Sequence, residues 1–405
     1  MAEKRRYELS CSDGSTYSVQ YQSSVGWGGK LKCLHSLERL SCLCRPASPV
    51  LLVIRNYGTH YGLARHPGTG PDHQTTCFYY GPAVTRGWIS GTYVPGVIED
   101  NGCYKVSLCV GRKTTESSAG VTDVEAPPTQ ANGAQRQGKV TALGLLKLLW
   151  EIAGLHELHP DWVRRRTAPA SVSGVLLNAA AEIRWGGAPL SDYLQVGSAP
   201  SDGNLKKLNE AVAARARENT SRMVIVARLR ANEPGRHELK ADGRIPLAGW
   251  GCTSIFLSSS QLKGLERSFE RELNAWRTEL AATYALLIVE PKTTGTNFRL
   301  VQIALMRVSE RAIPLDSGYE AMIEQALVDE RRHFDKPMRF APDEQTLPDF
   351  RLLDLPSGPM PMEVFGRTDL GYQERMNQKV LFYCQSGAPW WHWEAYRDAA
   401  WPDFP

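Results

Sequence analysis

Two cysteines separated by one residue, Cys42 and Cys44, followed by a histidine and a cysteine separated by three, His73 and Cys77, restrict the N-terminal fold more than any other pattern in the chain. Thiolate and imidazole donors from two distant pairs can meet at one tetrahedral ion only if the chain between them turns back on itself. That chain, VLLVIRNYGTHYGLA, holds two β-rich runs around Tyr57-Gly58, which predicts a hairpin. A hairpin returns His73 and Cys77 to Cys42 and Cys44, and three thiolates with one imidazole predict a closed, structural Zn²⁺ site without an open position for substrate. Cys33, His35, His60 and His66 are spare donors that could replace one of the four. The alternative reading is four small or polar residues buried independently, since cysteine is among the most buried residue types without any metal.

The rest of the cysteine usage agrees with a metal more than with disulfides. Of nine cysteines, seven precede residue 110, and an odd number cannot pair completely. MAEKRRYELS passes into polar sequence without a secretory leader, and the sequence contains no apolar run of membrane-spanning length. The expectation is a cytoplasmic protein with reduced thiols and no membrane partner. Cys11, Cys103, Cys109, Cys252 and Cys384 read as small core residues. The Cys-x-Cys and His-Cys arrangement is similar to that of SWIM-type zinc domains, with a longer spacing between His73 and Cys77.

A composition change sets the domain boundaries. Residues 111–138 contain Thr, Ser, Gly, Ala, Pro and Gln and hardly any large apolar side chain, so they cannot bury enough surface to offset their ordering entropy and read as a flexible linker. Residues 1–110 are then a zinc-binding, zinc-ribbon-like β module. Residues 139–200 predict a helix from Thr141, a break at Gly154, and a later helix capped by Ser171 or Ser173. The pair resembles a helix-turn-helix or winged-helix module. Arg164, Arg165 and Arg166 beside Trp162 could grip phosphates or form an ordinary solvated face. Residues 201–310 alternate helix and strand into an α+β platform: a charged helix over 204–218, strands at MVIVARLR, YALLIVEP and FRLVQIALMRVS, and a helix over 261–280. No P-loop or dinucleotide fingerprint is present, so motor and hydride chemistry lack support. A net charge of +4 permits a nucleic-acid partner without requiring one.

The last unit, 311–405, carries the candidate chemistry. SGYEAMIEQALVDERRHF predicts a helix capped at Ser317, with Glu320 at the reciprocal capping position. Strands are expected at 338–341, 350–354 and 360–365, a helix at 372–384 and a strand at 390–393. This order, αβββαβ, with Pro348-Asp349 and then Glu363-Val364-Phe365, resembles the PD-(D/E)XK (restriction-endonuclease-like) nuclease superfamily over about the last quarter of the chain. The resemblance implies that Asp349 and Glu363 hold Mg²⁺ or Mn²⁺, which polarises a phosphodiester and activates water. The residue two beyond Glu363, where the superfamily usually has lysine, is Phe365. Lys379 on the following helix is the replacement expected, with Arg375 one turn earlier. Glu320 corresponds to an acidic residue many members carry on the first helix, and it reads equally well as a cap. Asp354 is a third ligand or a strand end. Trp390 to Trp393 could stack bases or fill a core.

The combination of the N-terminal Cys-x-Cys and His-x₃-Cys with LPDF, MEVFG and WWHW also resembles an uncharacterised bacterial family found on integrative and conjugative elements. The overall expectation is an α+β multidomain protein acting as a metal-dependent DNA nuclease in mobile-element or defence processing. The alternative is a nuclease-fold protein without catalysis that binds DNA or serves as a scaffold, and homo-oligomerisation or protein partners are left open.

Overall fold

The structure, a computed structural model, describes residues 5–405 except 36, 57–60, 67–68, 70–71, 75, 81–96, 101–102, 114–138, 168, 198, 200–201, 234, 250, 279–280, 293–296, 339–345 and 388. The expected hairpin tip at Tyr57-Gly58, the spare donor His60 and most of the expected linker lie outside the described residues. The chain is a mixed α+β protein with several sheets and, among the described residues, ten α-helices. None of those helices is long and apolar enough to cross a membrane.

The first unit contains β1 (Leu9–Cys11), β2 (Thr16–Tyr17), α1 (Val19–Gln22), α2 (Trp27–Leu34), β3 (Leu40–Cys42), β4 (Val50–Asn56) and β5 (Tyr61–Arg65). Its sheet runs β2-β1-β3-β4-β5 and is antiparallel throughout. Alternation puts Leu9, Leu40, Cys42 and Leu52 inside, and Trp27, Leu31 and Leu34, at three- and four-residue steps on α2, join the same apolar core. The expected hairpin is present, with β4 and β5 paired from Leu52↔Arg65 to Asn56↔Tyr61.

The central unit begins earlier than the sequence boundary at 110. Strands β6 (Val97–Asp100) and β7 (Cys103–Val106) form a hairpin, and β7 pairs in parallel with a strand some 80 residues later rather than with the first sheet. Then follow α3 (Ala142–Ile152), β8 (Glu157–Leu158), α4 (Val163–Arg166), α5 (Pro169–Ala181), β9 (Ile183–Trp185), β10 (Ala188–Pro189), β11 (Leu194–Val196), α6 (Gly203–Glu218), β12 (Met223–Leu229), β13 (Gly243–Arg244), β14 (Leu247–Ala248), β15 (Phe256–Leu257), α7 (Ser259–Ser268), α8 (Glu270–Arg277), β16 (Ala282–Pro291) and β17 (Phe298–Val308). The principal sheet runs β11-β12-β16-β17, with β14 beside β12.

Three expectations change here. Gly111 and Lys113 accept from Arg222 and Arg112 donates to Tyr193, so the start of the expected linker is fastened to the central unit. α5 starts at Pro169, whose missing N–H costs nothing in a first turn, and not at Ser171 or Ser173. The helix expected over 261–280 is two helices, broken at Phe269 (φ −131°). α3 packs into the core: Leu145, Leu146, Leu148, Leu149 and Trp150 are wholly buried, and the Trp150 indole donates to Ala312 O at 2.8 Å. Truncating Trp150 to Ala would cost about 3–5 kcal/mol.

The last unit comprises α9 (Gly318–Asp329), β18 (Phe334–Asp335), β19 (Phe350–Leu352), β20 (Met360–Val364), α10 (Leu370–Ser386) and β21 (Trp391–Trp393). Its sheet order is β21-β20-β19-β18-β8, antiparallel except for the β20–β21 pair, which α10 connects. The strand expected at 338–341 is instead Phe334–Asp335. Lys336 N bonds His156 O beyond β8, Pro337 has no N–H to continue the ladder, and 339–341 lie outside the described residues.

Candidate functional site

Two buried polar clusters form in separate sheets. The first is the expected one. Cys42 ends β3, Cys44 follows in the turn, and His73 and Cys77 lie in the loop after β5, which is stitched to the N-terminus by Arg5 N→Thr76 O (2.7 Å) and Phe78 N→Arg5 O (2.9 Å). All four side chains are buried, and their ligand atoms lie within 4.8 Å of one another. Cys42 Sγ is 3.7 Å from Cys77 Sγ, and His73 Nδ1 is 3.3 Å from Cys44 Sγ and 3.6 Å from Cys77 Sγ. A disulfide requires sulfurs about 2.05 Å apart, whereas a tetrahedron with metal–sulfur bonds of about 2.3 Å has edges near 3.8 Å. The separations fit the second, so the cluster could hold a metal such as zinc. Contact with Cys42 holds the Cys77 thiol down to about 4, and the same shared proton, with burial, pushes Cys42 up.

The second cluster lies in the C-terminal sheet. Asp349 follows Pro348 at the entry to β19, and its Oδ2 accepts from Val364 N at 2.7 Å, which fixes it beside β20. Glu363, inside β20, is fully buried. Its Oε2 is 2.7 Å from Lys379 Nζ, which also donates to Leu347 O at 2.8 Å, and its Oε1 accepts from Tyr383 at 3.0 Å. Burial, reinforced by the Asp349 charge, pushes Glu363 up to about 7. Lys379 and Tyr383 are one turn apart on α10, so the same helix face supplies both partners.

Glu320 is present but is not a reciprocal cap. Its backbone N–H takes the Ser317 hydroxyl, while its carboxylate accepts from Asp316 N (2.9 Å) and from Lys336 Nζ (2.5 Å). Lys336 also pairs at 2.8 Å with Asp316, whose side chain is 70% exposed. Burial would lower Lys336, but Asp316, Glu320 and Asp349 outweigh it and hold the ammonium high. Burial raises Glu320 to about 8, with Lys336 opposing and Asp316 and Asp349 adding to the rise. The Asp349 charge therefore acts on both glutamates, and the three acids share one polar pocket with two lysines.

Lys336 and Tyr383 were missed in the sequence. Tyr383 carried a signal, its four-residue spacing from Lys379. Lys336 carried none, since FDKP reads as a turn. Asp354 is held by Arg332 at 2.9 and 3.0 Å and is no ligand here. Arg375 packs over the Tyr372 ring. Phe365 is buried and bonds Trp393 O through its backbone. In the aromatic tail Trp391 and Trp393 are buried, and Trp390 stacks on Tyr383 (4.8 Å, 17°) and on His392 (4.3 Å, 18°).

Residues 32–396 match a family described as "Protein of unknown function (DUF1173)". The chain belongs to this family. No curated protein and no solved structure matches it. Both clusters fall inside the span that defines membership, and they are 272 positions apart between Cys77 and Asp349.

Proposed function

We propose that the C-terminal unit is a metal-dependent nuclease that hydrolyses phosphodiester bonds of DNA, and that the N-terminal cluster is a structural zinc site. The observation carrying the reading is the side-by-side placement of Asp349 and Glu363 on adjacent strands with Lys379 on Glu363. A buried and a half-buried carboxylate that repel each other, with Lys379 bonded to Glu363, make a donor set suited to a hard dication such as Mg²⁺ or Mn²⁺. Such an ion would supply Lewis-acid polarisation of the phosphate and a lowered pKa of bound water. Asp349 and Glu363 would hold it, Lys379 would orient Glu363 and steady the phosphate, and Glu320 with Lys336 would form the opposite wall. The element order α9-β18-β19-β20-α10-β21, with its parallel return, is the order of the PD-(D/E)XK resemblance and supports the same reading. Participation in mobile-element or defence DNA processing belongs to this proposal.

Incubation of the full chain with plasmid and single-stranded DNA in Mg²⁺ or Mn²⁺ tests it. Cleavage should fall on the order of 10²-fold or more in Asp349→Ala and Glu363→Ala. Cleavage retained in both variants would end the assignment. A second reading, a DNA binder without catalysis, is favoured by two observations: both Glu363 oxygens already have protein partners, and Phe365 stands where the superfamily usually has lysine. A salt-dependent gel shift without cutting selects it.

A further inference from the structure

Arg307 is near the end of β17, in the central unit, in register with Thr283 of β16. It is half-buried, its Nε is closed to solvent without a partner, and its guanidinium has no hydrogen bond or ion pair among the described residues. A guanidinium partly withdrawn from water normally fills its planar fork with carboxylates or carbonyls. Among the described residues Arg307 does not, although its carbonyl accepts from Leu315 N at 3.1 Å, one residue before Asp316, and three acids lie within its electrostatic reach: Glu320, then Asp316, then Glu272. Two of them are committed elsewhere, since Glu320 and Asp316 both bond Lys336. The two lysines of the pocket are committed as well, each holding two acceptors: Lys336 the carboxylates of Asp316 and Glu320, Lys379 the Glu363 carboxylate and Leu347 O. Arg307 is thus a cation beside the carboxylate pocket whose directed donors are still available. Lys147 of α3 and Arg271 of α8 add positive potential at Asp316 from the same central unit.

A planar fork with open donors, beside carboxylates suited to a dication, has the geometry for bidentate capture of a phosphate. We infer that Arg307 binds non-bridging oxygens of a phosphate in the DNA strand, so that the hydrolytic centre is shared between the central unit and the C-terminal sheet. This deepens the nuclease reading and rests on it.

The test measures binding of a fluorescein-labelled DNA duplex to the full chain without added divalent ion or chelator, by anisotropy over a salt series, alongside cleavage of the same duplex in Mg²⁺. Arg307→Gln, which keeps the side-chain volume, should weaken binding about 10-fold and reduce the salt slope by about one. Arg307→Lys should restore the slope while recovering only part of the affinity, because the fork is lost. Thermal melting of each variant checks that it is folded, and Arg307→Ala replaces any variant that is not. A folded Arg307→Gln protein with wild-type affinity and slope overturns the inference, and the nuclease reading stands if the wild type still cuts. A wild type that neither binds nor cuts removes that reading and the inference with it.

Discussion

The Cys42-Cys44-His73-Cys77 cluster and the Asp349-Glu363-Lys379 cluster solve the problem of buried polar groups in opposite ways. In the first, three sulfurs and a ring nitrogen converge at tetrahedral-edge distances, and no lysine or arginine nitrogen bonds a sulfur among the described residues. In the second, each buried glutamate already has a lysine of the same chain, Glu363 with Lys379 and Glu320 with Lys336. A cluster that depends on an external cation should lose its fold with that cation. One neutralised internally should keep its fold and lose only activity. Metal dependence of folding, not of catalysis, is therefore the property that separates the two.

The largest effect is expected at the sulfurs. Elemental analysis should find about one zinc per chain, and Cys42→Ser should abolish it. The N-terminal sheet should then lose upwards of about 4 kcal/mol, read as an early melting transition and proteolysis within residues 5–80. A chelator should reproduce the transition in the wild type and leave the C-terminal tryptophan environment unchanged. A zinc-free protein with an intact N-terminal unit would erase the contrast.

A smaller effect is expected at the internal pair. Lys379→Met leaves Glu363, fully buried, without its ammonium, and since Lys379 is itself 29% exposed the cost should be about 2–3 kcal/mol in chemical denaturation. Glu363→Gln combined with Lys379→Met should recover part of that loss, because the uncompensated charge is gone. Additive losses would show that the two residues do not act as a pair.

Much of this contrast was legible in the sequence, for reasons that differ between the sites. The four residues of the Cys/His cluster are close in sequence within each pair, and one hairpin joins the pairs, so spacing and β-pattern suffice. Glu363 between Met362 and Val364 announced a buried acid, and Lys379 was implied by the nuclease resemblance, which allows its lysine on the following helix. Lys336 stayed hidden because a two-residue strand, Phe334–Asp335, carries no periodicity, and its pairing comes from β8, some 180 residues earlier. The pairing across residue 110 was hidden for a similar reason: β7 finds its partner in β9, across the apolar-poor stretch. Short strands recruited over long sequence distances leave no local trace. Arg307 reads as one polar residue in an apolar run, and only the tertiary fold brings it toward Glu320 and Asp316.

The smallest effect sharpens the comparison from the acid side. Glu320 rises from an ordinary 4.5 to about 8 and Glu363 to about 7, so between those values the folded chain keeps protons that the unfolded chain has released. A group raised on folding stabilises fully below its unfolded value, and that contribution is lost as pH climbs through the folded one. The C-terminal unit should accordingly become less stable from about pH 4.5 to about pH 8. Lys336 is raised and Asp316 lowered, and these shifts act above and below that window. Glu320→Gln removes one titrating group while keeping an acceptor for Asp316 N, and should flatten the decline. Denaturant midpoints measured across the window read this directly. A slope identical to that of the wild type would mean that Glu320 is ionised in the folded chain, with Lys336 as its full counter-charge.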